Sequence, residues 1–124
     1  MKVVVKITKA FKRFAKPLLK KYPSLRSELQ KLNTDLINNP YLGTELMPNI
    51  YKIRLQIKSK NTGKSGGARI ITYHTKETNI IGQTELISET ELSVNLISIY
   101  DKSEIETLKD YEIINLIKYM EIEG

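Results

Sequence analysis

The chain has 124 residues, of which 40% are hydrophobic, and this length predicts one domain spanning residues 1–124. It contains no cysteine, which excludes disulfides, thiolate metal sites and cysteine nucleophiles. The single histidine, His74, excludes a multi-histidine metal centre and acid–base catalysis by a histidine pair. We therefore expect neither a metal ion nor another cofactor.

The charge is unevenly distributed along the chain. Residues 1–76 hold 17 Lys and Arg against three acids, a net charge of +14, whereas residues 77–124 hold three against 11, a net charge of −8. A basic body indicates an anionic partner such as nucleic acid, although surface lysines that serve solubility give the same composition. The first apolar run is too short for a signal peptide, and no stretch reaches the ~20 apolar residues of a membrane span. We expect a cytoplasmic protein that does not enter a membrane.

The first third of the sequence predicts a strand and a helical hairpin. The β-branched run at residues 3–7 is typical of a strand, and Thr8 can cap the helix that follows. Pro17 lies inside this helix, so we expect a kink or two short helices. A second helix begins near Ser24 and ends before Pro40. Its leucines recur at heptad-like steps and predict a stripe facing the core: Leu25, Leu29, Leu32 and Leu36.

Three strands are predicted after a loop marked by Pro40, Gly43 and Pro48. Residues 51–58 alternate apolar and polar side chains, so one face of this strand packs on the helices and the other presents cations. Residues 68–75 resume as a strand. Residues 92–100 form a further strand that is apolar on both faces and therefore central, with Ile97 and Ile99 together on one face.

The end of the chain predicts a closing helix. Residues 78–91 fit a hairpin extension and an irregular loop equally well. Ser103 and Glu106 have capping-box spacing, and Asp110 is a second possible cap. The order β-α-α-β-β-β-α predicts an α+β fold in which the helical hairpin and the C-terminal helix pack on a small, mainly antiparallel sheet.

Six cations lie within eighteen residues around the period-two strand and the turn after it, and no acid lies among them. They are Lys52, Arg54, Lys58, Lys60, Lys64 and Arg69. Unpaired cations on one face repel one another, and a purely structural face intersperses carboxylates. Binding of a polyanion explains the pattern better than a solvated strand face. The segment Gly63-Lys64-Ser65 is not a P-loop, because the position that needs its first glycine is Lys58 and a strand follows.

A series of short motifs covers nearly the whole chain. The motifs are Lys20-Lys21-Tyr22-Pro23-Ser24-Leu25, Asn39-Pro40 with Gly43, Tyr51-Lys52-Ile53-Arg54-Leu55, Ser59-Lys60, Gly63-Lys64-Ser65-Gly66-Gly67-Ala68-Arg69-Ile70-Ile71 and Ile99-Tyr100-Asp101-Lys102-Ser103-Glu104. In this order they resemble the RelE/ParE toxin superfamily, in its RelE/HigB-like branch. The resemblance implies a RelE-like fold and the toxin of a type II toxin–antitoxin pair. It also implies a ribosome-dependent endoribonuclease that cuts mRNA and inhibits translation, with a cognate antitoxin, mRNA on the ribosome and 16S rRNA as partners.

The resemblance implies a site made of basic residues and a tyrosine. The catalytic candidates are Arg54, Lys58, Lys60, Arg69 and Tyr100, and the RNA-binding candidates are Lys52, Lys64 and Lys102. Cleaving RNA without a metal ion uses the 2′-hydroxyl as nucleophile and needs a proton acceptor, charge stabilisation and a proton for the leaving oxygen. A lysine crowded by cations releases its proton more readily, which makes Lys58 or Lys60 the candidate for proton exchange. Arg69 holds non-bridging oxygens in a bidentate pair, and Tyr100 either stacks on a base or accepts the proton.

Two other functions fit the same residues. Related ParE-like toxins inhibit DNA gyrase and lack the catalytic set, and a degenerate member of the superfamily binds only its antitoxin. His74 lies between Tyr73 and Thr75 in a predicted strand, so we expect an ordinary structural histidine.

Overall fold

The computed structural model of the protein describes residues 1–60, 67–80, 88–105 and 107–123. In these ranges the elements are β1 (Lys2–Ile7), α1 (Lys9–Lys21), α2 (Leu25–Asn38), β2 (Thr44–Met47), β3 (Ile50–Leu55), β4 (Ala68–Ile80), β5 (Ser88–Asp101) and α3 (Asp110–Glu123). The predicted α+β class is confirmed. None of the described helices is long and apolar enough to cross a membrane.

The strands form one sheet in the order β1-β5-β4-β3-β2. Strand β1 runs parallel to β5, and the other neighbours are antiparallel. Strand β5 is an interior strand, as predicted, and its residues 92–100 are all buried. Strands β4 and β5 stay paired out to Ile80 and Ser88, so the described part of residues 78–91 extends the hairpin. Strand β2 lies where the sequence predicted a loop. No local pattern indicated this strand, because its residues are mostly exposed and show no apolar period.

Helices α1 and α2 cover one face of the sheet and form the larger core with it. The backbone N–H of Phe11 donates to the Thr8 hydroxyl over 3.2 Å, which confirms the predicted cap. Helix α1 is one helix rather than two. The carbonyl that Pro17 leaves without a donor belongs to Arg13, an exposed residue whose carbonyl can reach water. The leucine stripe of α2 is confirmed as a core seam, because Leu25, Leu32 and Leu36 are buried and Leu29 packs against them.

Helix α3 covers the opposite face of the sheet. The buried residues of this second core are Ile50, Ile71, Ile97, Tyr100 and Ile113. The prediction that Ile97 and Ile99 share a face is wrong, because Ile99 belongs to the core under α1 and α2. A register shift after Ile71 pairs Ser98 with Ile71 and Leu96 with Thr72, and this skips Ile97.

Helix α3 begins at Asp110, so this second predicted cap is the first residue inside the helix. The cap position is Lys109, whose carbonyl accepts from the backbone N–H of Ile113. The backbone N–H of Lys109 donates to Glu112 Oε1 over 3.2 Å, which closes the first turn. Glu106, the partner predicted for a Ser103 capping box, lies outside the described residues. The Ser103 hydroxyl donates to Asp101 Oδ1 instead.

Candidate functional site

Strands β3, β4 and β5 bring Arg54, Arg69 and Tyr100 into one row across the sheet. Arg54 faces Arg69 in the β3–β4 ladder, and Arg69 faces Tyr100 in the β4–β5 ladder. Directly opposite residues share a face, with Cβ atoms about 4.5–5.5 Å apart. Because Tyr100 belongs to the core under α3, the row lies on the α3 face. Lys52 lies two residues before Arg54 and shares that face. We call Lys52, Arg54 and Arg69 the arginine row.

The positive charge of the arginine row is not neutralised within the described part of the chain. Arg54 is exposed, and Arg69 is half-buried with its Nη1 donating to the Ala68 carbonyl over 3.2 Å. The ion pairs among the described residues are Lys21–Glu104 and Lys60–Asp101, and neither includes an arginine. Two facing guanidinium groups repel each other, and both keep donors for an anion such as a phosphate.

Tyr100 lies beside Arg69 in the β4–β5 ladder, next to the arginine row, but its side chain is enclosed. It is 4% exposed and belongs to the apolar cluster that includes Ile113 of α3. Its hydroxyl is buried and has no hydrogen-bond partner within the described part of the chain. A base or a ribose hydroxyl reaches this oxygen only after the surrounding side chains move. Tyr100 is therefore aligned with the two arginines, as the sequence predicted, but its hydroxyl is enclosed, which the sequence did not predict.

Lys60 lies in a different environment from the one that the sequence predicted. Its side chain is 6% exposed, and its Nζ lies 2.5 Å from Asp101 Oδ1 and 3.1 Å from Ser103 Oγ. The expectation of a lysine surrounded only by cations is wrong for this residue, because a carboxylate from the acidic second part of the chain pairs with it. Lys60 is therefore held in a buried ion pair and is not part of the exposed basic surface.

Asp101 is the centre of a polar group that we call the Asp101 network, formed by Tyr22, Lys60, Asp101 and Ser103. Tyr22, Asp101 and the Lys60 side chain are buried, whereas Ser103 is exposed. Tyr22 Oη donates to Asp101 Oδ2 over 2.6 Å, and the backbone N–H of Ser103 donates to Oδ1 over 2.9 Å. Burial disfavours the carboxylate, but the donors from Lys60, Tyr22 and Ser103 outweigh it and hold the pKa of Asp101 well below its usual range. The hydrogen bond to this carboxylate, together with burial, raises the pKa of Tyr22.

The Asp101 network joins the end of α1, the turn after β3 and the end of β5. The network thus anchors Lys60. Next to Asp101, the backbone N–H of Lys102 donates to the Gly67 carbonyl over 3.2 Å. Lys102 itself is half-buried. Sequence analysis missed this network because its hydrogen bonds join residues up to 79 positions apart, as between Tyr22 and Asp101, and its members follow no local period.

The two remaining predicted lysines lie elsewhere. Lys58 is exposed, and its backbone N–H donates to Glu28 Oε2 of α2 over 2.7 Å. Lys64 lies outside the described residues. Lys58 lines an open groove of about 1010 Å³ between α2 and the outer edge of β3, together with Lys52 and Arg54. The structure thus brings Lys52, Arg54 and Lys58 to one groove, although only the first two share the α3 face with Arg69.

His74 lies apart from the arginine row. It is buried, and its ring stacks on Tyr51 with centroids 4.7 Å apart. Burial lowers the pKa of His74, so the neutral form is favoured in the packed cluster. Within the described ranges no three His, Asp or Glu side chains come together as a metal site.

No family model matches this chain, and a search of curated proteins gives no match either. The resemblance to the RelE/ParE superfamily therefore stays a prediction. Any function has to be argued from the arginine row, Tyr100 and the adjoining groove.

Proposed function

We propose that this chain is a cytoplasmic toxin of the RelE/ParE type, which binds mRNA on the ribosome through the arginine row and cuts it without a metal ion. The observation that supports the proposal is the pairing of Arg54 with Arg69 in register, with no ion-pair partner for either in the described ranges. Facing guanidinium groups repel each other until an anion lies between them. A phosphodiester supplies that charge, and a cognate antitoxin keeps the toxin inactive.

The proposed reaction is an internal transfer at phosphorus. The 2′-oxygen attacks the adjacent phosphorus, the bond to the 5′-oxygen of the next nucleotide breaks, and the products carry a 2′,3′-cyclic phosphate and a 5′-hydroxyl. Arg54 and Arg69 bind the non-bridging oxygens and stabilise the charge that grows on them. Lys52 or Lys58 protonates the leaving oxygen. Tyr100, in its deprotonated form, accepts the 2′-proton once the cluster that encloses it opens.

Translating ribosomes provide the direct test. The protein is added to a translation reaction, and the 5′ ends of the mRNA are mapped by primer extension. We expect new ends with the unaltered protein and about 10²–10³-fold slower cleavage with Arg69→Ala, because one charge-stabilising group is lost. Arg26→Ala removes an exposed arginine from α2 and is the matched control. The absence of cuts, or equal rates for the unaltered protein and Arg69→Ala, contradicts the nuclease proposal.

A toxin without nuclease activity is the second candidate function. Two observations favour it, because Lys60 is engaged by Asp101 and Tyr100 is enclosed. A ParE-like inhibitor needs a binding surface for DNA gyrase but no proton acceptor. Inhibition of gyrase-driven supercoiling with no mRNA cuts identifies this function. Normal growth of cells that express the chain alone identifies a degenerate member that only binds an antitoxin.

A further inference from the structure

The outer edge of β3 is open beyond its pairing with β2. Strand β2 pairs with β3 as far as Lys52, which faces Thr44. Within the described ranges no strand pairs with residues 53–55 on that side. The next fixed point is the backbone N–H of Lys58, which donates to Glu28. At about 3.3 Å per residue, residues 53–55 leave roughly 10 Å of strand edge without a partner.

This open edge forms one side of the groove, and α2 forms the other. Unpaired backbone groups along a strand edge are a template for another extended chain, and most proteins cover such an edge. Gly43 marks the end of the groove where β2 begins. It has φ +96°, and a Cβ there would collide with the Lys52 carbonyl, so the chain passes close to β3 at this point. Beyond it the space between β3 and α2 is free.

The floor of the groove is apolar. Leu32 of α2 and Ile53 of β3 are buried, and Leu42 and Leu55 are half-buried against the same core. In a strand added beside β3, alternate side chains would point to this floor, because Ile53 and Leu55 point there themselves. The other side chains would point to the α3 face, next to Lys52 and Arg54.

The rim of the groove carries more positive than negative charge. Its cations are Lys31, Lys52, Arg54 and Lys58, and its acids are Glu28 and Asp35. The Glu28 carboxylate already accepts hydrogen bonds from the Lys58 backbone and the Ser24 hydroxyl. The described residues that line the groove include no aromatic ring. Single-stranded nucleic acid sites use such rings as stacking platforms, so the lining favours a peptide.

We infer that this groove binds an extended acidic peptide segment of a partner protein, which adds to the sheet as a strand beside β3. The pleat of the sheet sets the pattern of the segment. Its apolar residues face Leu32 and Leu42, and its Asp or Glu residues alternate with them and face Lys52 and Arg54. This inference does not rest on the proposed nuclease function, although a bound segment covers part of the arginine row.

A display library of random ten-residue peptides, selected on the full chain, tests the inference. We expect enriched peptides that alternate apolar with acidic residues. Binding of a synthetic copy, measured by fluorescence anisotropy, should weaken at least tenfold with Arg54→Glu, which reverses the charge beside the strand. Leu42→Glu should have a similar effect, because it puts a charge on the floor. Lys12→Glu reverses an exposed charge on α1 and is the matched control.

Backbone methylation separates strand addition from simple charge attraction. A peptide with N-methyl groups along one edge loses the donors of that edge, so one of the two possible methylated peptides should bind at least tenfold more weakly. Circular dichroism melting checks that each variant is folded. Enriched peptides without acidic residues, or equal binding by both methylated peptides and the parent, overturn the inference.

Two further outcomes also overturn it, because they assign the groove to another occupant. If an oligouridine binds the groove and no selected peptide does, the groove is assigned to RNA. A dimer that dissociates with Arg54→Glu assigns it to a second copy of this chain. The mRNA cleavage assay with Leu42→Glu keeps the two proposals apart, because this variant leaves the arginine row in place and should cut mRNA whether or not it binds peptide.

Discussion

The arginine row and the Asp101 network contain cations from the same short basic segment, yet their surroundings are opposite. Arg54 and Arg69 face each other with no ion-pair partner among the described residues. Lys60 is enclosed and lies 2.5 Å from the Asp101 carboxylate. The density of lysine and arginine along the sequence therefore does not show which cations are available to a ligand. Their availability depends on whether a carboxylate from a distant part of the sequence lies next to them.

We expect the Asp101 network to govern the stability of the fold and the arginine row to govern the binding of an anionic ligand. Buried charges are costly unless each has a partner, so the Asp101 network depends on every member being present. Facing arginines add repulsion in the free protein and release it when an anion binds. Substitutions in the Asp101 network should consequently change the free energy of unfolding, and substitutions in the arginine row should change ligand binding.

The largest expected effect is that of Asp101→Asn on stability. The substitution keeps the shape of the side chain but removes the charge, which leaves the enclosed Lys60 ammonium without a counter-ion. We expect a loss of about 3–5 kcal/mol in the free energy of unfolding, measured by urea denaturation. Glu104→Gln is the matched control, since its pair with Lys21 is exposed and screened by solvent and should contribute little to stability. Equal losses for the two variants would contradict a structural role for the Asp101 network.

The contribution of the Asp101 carboxylate to stability can also be tested by changing the pH. The pKa of Asp101 is lower in the folded protein than the usual value of about 3.9, so its ionised form stabilises the fold. This contribution is fully present above about pH 4 and is lost as the pH falls toward the folded pKa. The gap in unfolding free energy between the unaltered protein and Asp101→Asn should therefore narrow below about pH 4. A gap that stays constant down to pH 2 speaks against the ionised carboxylate.

A smaller effect is expected from the two buried tyrosines. Tyr22 donates to the Asp101 carboxylate, whereas the Tyr100 hydroxyl has no partner within the described ranges. Tyr22→Phe should cost about 1.5–3 kcal/mol, the range for a hydrogen bond to a charged group. Tyr100→Phe should leave the unfolding free energy unchanged or raise it by up to about 1 kcal/mol, because it removes an unsatisfied buried hydroxyl. Thermal denaturation of both variants measures the contrast, and similar losses would show that Tyr100 has a partner.

Much of the fold could be predicted from local patterns. The period-two alternation of residues 51–58 predicted β3, although the strand ends at Leu55 and does not include Lys58. The leucine stripe predicted α2, and in each element burial follows the backbone period. The arginine row could be predicted in part, since Arg54 and Arg69 belong to strands on either side of one turn. Their exact partners in the ladder needed the register, which sequence alone does not supply.

The missing parts depend on long-range geometry. The pair of Lys60 and Asp101 joins residues 41 positions apart, and neither carries a local signal of the contact. The shift that separates Ile97 from Ile99 is a single skipped residue in an otherwise regular apolar run. The enclosure of Tyr100 depends on α3 packing over that end of the sheet, which the helical pattern of α3 does not specify.

The smallest expected effect on stability is that of removing one arginine from the row. Arg54→Ala should change the free energy of unfolding by less than about 0.5 kcal/mol, because the lost packing of an exposed side chain is offset by relief of its repulsion with Arg69. Its effect should appear in RNA binding instead. If about four cations neutralise phosphates, the logarithm of the affinity for an oligouridine should fall against the logarithm of salt concentration with a slope near −3.

Loss of one phosphate contact should reduce the magnitude of that slope by about 0.7. Lys20→Ala removes an exposed lysine from α1 and should leave the slope unchanged. Anisotropy titrations at a series of salt concentrations measure both slopes. A flat salt dependence of the unaltered protein, or an equal change for Arg54→Ala and Lys20→Ala, would mean that the unneutralised arginines do not bind phosphate. The arginine row and the Asp101 network would then differ only in the burial of their charges and not in ligand binding.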